Sequence, residues 1–306
     1  MRQMLTLVKR ELIEHRSSWV VTTVFGGLFV LAALLAVFGL VRVGVFGEPM
    51  NVVEFADSPE RFQLREGLHL GLLPIAAVLN MVMTFVVIFY FLDALYTERK
   101  DRSILFWKSL PVSDLKVVAS KYLTGIVAIP LVTVVVFLAT VVLVVLITGI
   151  GLWFAGGVGD VLAGGPGAIA QATLMLMYAL AVQALWFAPI DGWLLLVSAF
   201  AKRAVLAWAV VPPALAVAAE RLLFGTRHFL DALVYRIRGV WELAFDGRRQ
   251  NVIVYHGDEV LESLPQFADL LTPGRLFASP SLWLGIVVGV LLLACAVWLR
   301  RWRDEA

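Results

Sequence analysis

Long apolar stretches recur along the chain and alternate with shorter polar segments. A helix rises about 1.5 Å per residue, so about 20 apolar residues cross the roughly 30 Å of hydrocarbon in a bilayer. Because an open strand cannot satisfy its backbone hydrogen bonds in lipid, the pattern predicts helices. We expect an all-α, polytopic membrane protein with one transmembrane domain over residues 1–306. Its six predicted spans cover residues 19–41, 70–96, 125–150, 168–199, 204–224 and 282–299, and residues 189–192 interrupt the fourth.

Composition supports the same class of protein. Of 306 residues, 61% are hydrophobic and 16% charged, and the mean hydropathy is +0.89. Soluble domains carry about 45–50% apolar and about 25% charged residues, so a soluble enzyme and a disordered chain are both excluded. The net charge of +2 gives no footprint for nucleic acid. Cys295 is the only cysteine, which excludes an internal disulfide and a cysteine metal cluster.

The distribution of lysine and arginine predicts the orientation. Basic residues concentrate in the cytoplasmic segments of membrane proteins. With the N-terminus inside, 15 of the 25 Lys and Arg residues, including every lysine, fall on the inner side. Both termini are therefore predicted to be cytoplasmic. Residues 225–280 then form the largest outer segment, between spans five and six.

Two segments outside the spans have amphipathic helical patterns. In residues 1–18 an apolar stripe alternates with basic side chains, which predicts an interfacial helix, an orientation-setting basic anchor, or both. From His228 to Phe245 a second stripe predicts a helix that lies on or dips into the outer leaflet. Membrane lipids are thus expected partners.

The inner segment 97–121 is long and dense in charge. Five consecutive charged residues run from Glu98 to Arg102, and Pro111 ends a short apolar helix that Ser103 can cap. Large aromatics on such a loop need either a partner surface or the lipid interface. The apolar residues of this predicted helix are Ile104, Leu105, Phe106, Trp107 and Leu110.

This loop resembles the cytoplasmic loop of type-2 ABC exporter permeases. Members carry an acidic residue, a short apolar helix, Pro, a small polar residue and a Lys at the start of the third helix. Glu98, the 104–110 helix, Pro111, Ser113 and Lys121 occupy these places here. Arg102 departs from the pattern, because many members have Gly there. The six spans, the amphipathic N-terminus and the large outer segment agree with the family's layout.

The resemblance implies the permease subunit of an exporter in the bacterial inner membrane. Two permeases, identical or different, would pair, and each would dock a separate cytoplasmic ABC ATPase through the 97–121 loop. The predicted docking residues are Glu98, Arg102, Ile104, Leu105, Phe106, Trp107, Leu110 and Pro111. No Gly-x-x-x-x-Gly-Lys-Ser/Thr phosphate loop occurs, so ATP and Mg²⁺ are expected on the partner and no cofactor or metal on this chain. We therefore expect no catalytic residues.

The alternatives are an intramembrane aspartyl protease and a membrane scaffold. Residues 157–160 match the Gly-x-Gly-Asp motif of such proteases, and Asp93 or Asp191 would have to supply the second aspartate. An aspartate dyad must share a proton over a few ångströms. The predicted topology places Asp160 outside and both other aspartates towards the inner side. Asp93 and Asp191 are therefore interpreted as intramembrane polar residues, either paired with Arg99 or Lys202 or facing a substrate.

Overall fold

The described chain is helical and contains six helices long and apolar enough to cross a membrane. The computed structural model describes residues 2–42, 60–101, 112–154, 160–245 and 271–302. Apart from one bridge between Phe245 and Leu271, these ranges contain no extended pairing. The predictions of an all-α fold and of six spans are confirmed. The candidate spans are Ser17–Val37, Leu72–Lys100, Asp114–Ile150, Gly165–Trp186, Val205–Phe224 and Pro280–Trp302.

The helices follow the order of the predicted elements. The first half contains α1 (Arg2–Glu14), α2 (Ser17–Arg42), α3 (Glu60–Ala94), α4 (Tyr96–Lys100), α5 (Asp114–Leu123), a π-helical turn (Thr124–Ala128) and α6 (Ile129–Phe154). The second half contains α7 (Asp160–Trp186), α8 (Ala188–Phe200), α9 (Val205–Phe224), α10 (His228–Ala244), α11 (Pro273–Ala278) and α12 (Pro280–Trp302). The amphipathic helices predicted at the N-terminus and after span five correspond to α1 and α10.

The chain divides into two compact units. The first comprises Met1–Ile13, Ile88–Val127 and Ala179–Ala306, and the second comprises Glu14–Val87 and Ala128–Tyr178. In the second unit α2 packs closely on α6. A Cβ added at Gly26 would stand only 2.5 Å from the Thr140 hydroxyl oxygen. Small residues of this kind let transmembrane helices approach each other.

In the first unit, α8 and α12 cross with their backbones almost in contact. A Cβ on Gly192 would stand 2.9 Å from the Gly289 carbonyl oxygen, and one on Gly289 would stand 2.7 Å from the Ala188 carbonyl oxygen. Gly285 and Gly289 on α12 are one helical turn apart, as are Ala188 and Gly192 on α8. The crossing therefore depends on small residues at Ala188, Gly192 and Gly289, whereas Gly285 faces Arg236 on α10.

The third span begins earlier than predicted. The helix starts at Asp114 rather than near residue 125 and continues through the π-helical turn into α6. Gly125 lies in this turn against Phe91, whose ring occupies the space that a Cβ would need. Pro130, the second residue of α6, has no N–H to donate to the carbonyl four residues before it, which favours a local change of helical register.

The fourth span is interrupted at Phe187, two residues before the predicted position. Helix α7 ends at Trp186, Phe187 separates it from α8, and Pro189 lies in the first turn of α8. The expectation that residues 189–192 themselves form the break is wrong, because they are helical. Proline is tolerated in a first turn, where its missing N–H would have had no helical partner.

Pro212 and Pro213 lie inside a continuous α9, and a neighbouring helix compensates for one lost hydrogen bond. Pro213 has no N–H to donate to the Ala209 carbonyl oxygen. The indole Nε1 of Trp193 on α8 donates to that oxygen instead, at 2.9 Å. The carbonyl that Pro213 leaves free is therefore used in a hydrogen bond between α8 and α9.

Replacing Trp193 with Phe should destabilise the fold modestly. The Ala209 carbonyl would lose its donor in an apolar environment, at a cost of roughly 0.5–2 kcal/mol. The measurement is thermal unfolding of purified protein in detergent. Trp298→Phe is the control, because the Trp298 side chain is 61% exposed. Equal unfolding temperatures for both variants would contradict the assigned role.

A buried charge cluster at the loop between spans two and three

The structure describes both flanks of the predicted docking loop, and the flanks converge. Residues 102–111 lie outside the described ranges, so the predicted docking residues Arg102, Ile104, Leu105, Phe106, Trp107, Leu110 and Pro111 are not placed. Glu98 on α4 precedes the gap, and Asp114 and Lys121 on α5 follow it. Their side chains meet at one set of ion pairs.

Five charged side chains form this set, which we term the charge cluster: Glu11, Glu98, Asp114, Lys121 and Arg300. Lys121 Nζ lies 2.9 Å from Glu11 Oε1 and 3.0 Å from Glu98 Oε1. Arg300 donates from Nη1 to Glu98 Oε2 at 2.6 Å. It also donates from Nε to Asp114 Oδ1 at 3.1 Å. Each cation thus bridges two carboxylates from different helices.

The charge cluster is largely removed from solvent. The Lys121 side chain is 2% exposed and that of Arg300 3%, whereas Asp114 remains 27% exposed. Charges this deeply buried are stable only when paired and hydrogen-bonded. The cluster satisfies that condition because Glu98 accepts from both cations. Helices α1, α4, α5 and α12 are therefore joined at one point.

Helical spacing brings these residues to one point. Asp114 and Lys121 are seven residues apart, which puts them on nearly the same face of α5, two turns from each other. Glu11 lies three residues after Val8 and seven after Met4, so it shares the inward side of α1 with them. Tyr90 on α3 donates its hydroxyl to Glu11 Oε2 at 3.4 Å.

The turn between α3 and α4 is fixed by α8. The Ser198 hydroxyl oxygen accepts from the backbone N–H groups of Leu95 and Tyr96 at 2.9 and 3.0 Å. In return, Arg99 Nη2 donates to the carbonyl oxygens of Ser198 and Ala201, at 2.5 and 2.8 Å. These bonds occupy carbonyls left without helical partners at the end of α8. Glu98 is therefore held by the charge cluster on one side and by the bonds between its neighbour Arg99 and α8 on the other.

Asp93 and Asp191 lie in different environments. Asp93 is exposed and accepts a hydrogen bond from the Thr97 hydroxyl, one turn further on. Asp191 is 7% exposed in the first turn of α8, and Tyr122 is the titratable group that interacts with it electrostatically. Within the described ranges no ion pair reaches Asp191, so neither Arg99 nor Lys202 neutralises it there. No group of acidic, His or Cys residues that could hold a metal occurs among the described residues.

Most of the charge cluster was absent from the sequence prediction. Glu98 and Lys121 were selected as parts of a loop motif, but Glu11, Asp114 and Arg300 were not connected to them. The sequence did contain one signal for a buried ion pair, because the charged Glu11 interrupts the inward side of the amphipathic helix α1. The structure places the Glu98 carboxylate in buried ion pairs with Lys121 and Arg300 rather than in solvent.

Comparison with known proteins bears on this region. Residues 72–187 match the family model described as ABC-2 family transporter protein. The match spans the predicted docking loop and includes Glu98, Asp114 and Lys121, whereas Glu11 and Arg300 lie outside it. No curated protein and no solved structure matches the chain.

Proposed function

We propose that the chain is the membrane permease of an ABC transporter, because residues 72–187 match the ABC-2 transporter family, and that it is half of an exporter in a bacterial inner membrane. A second permease, identical or homologous, completes the pathway. A cytoplasmic ABC ATPase docks on the 97–121 loop. ATP and Mg²⁺ bind to that ATPase.

The charge cluster is the observation that best supports a coupling role for this loop. Glu98 lies four residues before the undescribed segment 102–111, and Asp114 and Lys121 follow that segment on α5. Both flanks are bound to Arg300 on α12, and Lys121 is also bound to Glu11 on α1. A displacement of the loop is therefore transmitted to α1 and α12 as well as to the helices on either side of it.

The chain's own contribution to the transport cycle is mechanical. Closure of the ATPases on ATP would push the docked loop, and the charge cluster would keep the adjoining helix ends together while they tilt. The family resemblance implies that this tilt alternates access between the two sides of the membrane. The buried ion pairs provide stiffness at the point where force enters, because breaking one leaves an uncompensated buried charge.

Co-purification tests the proposal directly. The full chain, extracted in mild detergent from its own cells, should retain an ABC ATPase whose identity is established by mass spectrometry. The complex should hydrolyse ATP, and the permease alone should not. Repeated purification without an ATPase, at several detergent strengths, would contradict the proposal.

Orientation is a separate prediction. We expect a reporter fused after Arg303 to be cytoplasmic and one inserted within residues 246–259 to be external, because the inner segments hold 15 of the 25 Lys and Arg residues. Reporters active on only one side of the membrane make the measurement. An external C-terminus would reverse the orientation and remove the docking loop from the cytoplasm.

A further inference from the structure

Arg236 on α10 occupies a half-buried position away from the charge cluster. Its guanidinium lies over the Trp186 ring, 4.5 Å from the ring centroid. It donates from Nη1 to the Trp186 carbonyl oxygen at 3.3 Å and from Nη2 to the Ser281 carbonyl oxygen at 2.8 Å. A side chain at position 285 would overlap the guanidinium, so Gly285 leaves the space that the Arg236 side chain occupies.

In the described part of the chain, the contacts of the Arg236 guanidinium are two carbonyl oxygens and an indole ring, none of which carries a negative charge. A guanidinium has five N–H groups, and the two carbonyl oxygens account for two of them. Among the residues that the structure describes, no carboxylate pairs with Arg236. Burial lowers its pKa, because removal from water disfavours the charged form. An anion at this position would offset that penalty, and a planar guanidinium is suited to bidentate contact with an oxyanion.

Further donors lie beside the guanidinium. The Ser279 and Ser281 hydroxyl oxygens are 2.6 Å apart, and the Tyr235 hydroxyl is 3.5 Å from that of Ser281. Both serines flank the start of α12, where the helix dipole favours negative charge. These hydroxyls lie next to the Ser281 carbonyl that Arg236 contacts, so they can donate to the same ligand.

The position along α12 places Arg236 near a membrane surface. Ser281 and Arg300 are 19 residues apart, which corresponds to about 28 Å of helix and is close to the hydrocarbon thickness. Arg236 and the charge cluster are thus at opposite ends of this span. Ile237 and Trp241 on α10 and Trp283 near the start of α12 are exposed, as expected where apolar surface meets lipid headgroups.

We propose that Arg236, with the hydroxyls of Ser279 and Ser281, binds the oxyanion of an anionic amphiphile at the membrane surface. The ligand carries a phosphate or carboxylate that the guanidinium contacts through its remaining N–H groups, and its acyl chains lie along the exposed apolar side chains. The inference extends the proposed function but does not depend on it, because neither the ATPase nor the direction of transport enters the argument.

Native mass spectrometry of the purified full chain with phosphatidylglycerol tests the proposal. Phosphatidylcholine, which carries a phosphate but no net charge, is the lipid control. We expect Arg236→Gln to lower the affinity for phosphatidylglycerol at least tenfold. Arg238→Gln, which alters an exposed arginine two residues away, should change it less than twofold. Arg236→Lys keeps the charge but loses the forked geometry of the guanidinium, so it should lower the affinity for phosphatidylglycerol about three- to tenfold. This variant replaces Arg236→Gln in the test if the glutamine variant does not fold.

Each outcome has a defined meaning. Unchanged phosphatidylglycerol binding in Arg236→Gln, or in Arg236→Lys if only that variant folds, would overturn the proposal. So would equal losses in the Arg236 and Arg238 variants, because general surface charge would then explain binding. Competition by millimolar inorganic phosphate would support recognition of the oxyanion alone. Arg236-dependent lipid binding that phosphate does not displace would support recognition of the whole amphiphile.

Discussion

Replacing Lys121 with Met should destabilise the protein by on the order of 3–5 kcal/mol, the range measured when one member of a buried ion pair is removed. Lys121 is 2% exposed and lies between Glu11 and Glu98. Methionine fills a similar volume without charge, so three carboxylates of the charge cluster would share one cation. Thermal and denaturant unfolding of the purified permease in detergent would measure the loss.

Two further variants separate the loss of charge from a general effect of mutating α5. Lys116→Met is the matched control, because Lys116 is exposed and makes a single 3.3 Å hydrogen bond to Gln3. It should change stability by less than about 1 kcal/mol. Adding Glu11→Gln to Lys121→Met should recover part of the loss, since Glu98 keeps Arg300 while the Glu11 carboxylate is removed. Additive effects in this double-mutant cycle would contradict direct coupling between Glu11 and Lys121.

The spans could be predicted because each signal is local. A run of about 20 apolar residues identifies a crossing helix whatever it packs against. The predicted start of the third span was wrong because the prediction used only this local hydropathy. Asp114, Lys116 and Lys121 make the first turns of that helix look too polar to belong to a span, although Lys121 is neutralised by partners. Helix ends depend on contacts that a hydropathy pattern does not contain.

The charge cluster could not be predicted because its pairs are distant in sequence. Glu11 and Lys121 are 110 residues apart, and Glu98 and Arg300 are 202 apart. Any of the chain's carboxylates could have matched these cations on charge alone. The contact between Trp193 and Ala209 could not be predicted either. It depends on which helix packs beside the Ala209 carbonyl, which Pro213 leaves without a donor. The resemblance to a known family identified the docking loop. The partners of the charged residues that flank it follow only from tertiary packing.

Truncating either loop aromatic, by Trp107→Ala or Phe106→Ala, should weaken ATPase binding roughly 30-fold or more. These residues precede Val112, where the described chain resumes, and both are expected to fill an apolar groove on the ATPase. Removing a central interface aromatic typically costs on the order of 2–4 kcal/mol, and about 1.4 kcal/mol corresponds to a tenfold change in affinity. Titration of the co-purifying ATPase against immobilised wild-type and variant permease measures the change.

The same titration distinguishes docking from simple contact with lipid. Lys108→Ala changes a charge next to Trp107 and should alter affinity by less than about 1 kcal/mol, because exposed charges contribute little. Unfolding temperature should remain at the wild-type value in all three variants, since the charge cluster that anchors the loop is intact. If the aromatics only rest on the membrane, ATPase affinity will not change when they are truncated. Equal affinities for wild type and Trp107→Ala would therefore reject the docking role, whereas a selective loss in the aromatic variants identifies the loop as the surface that receives the ATPase.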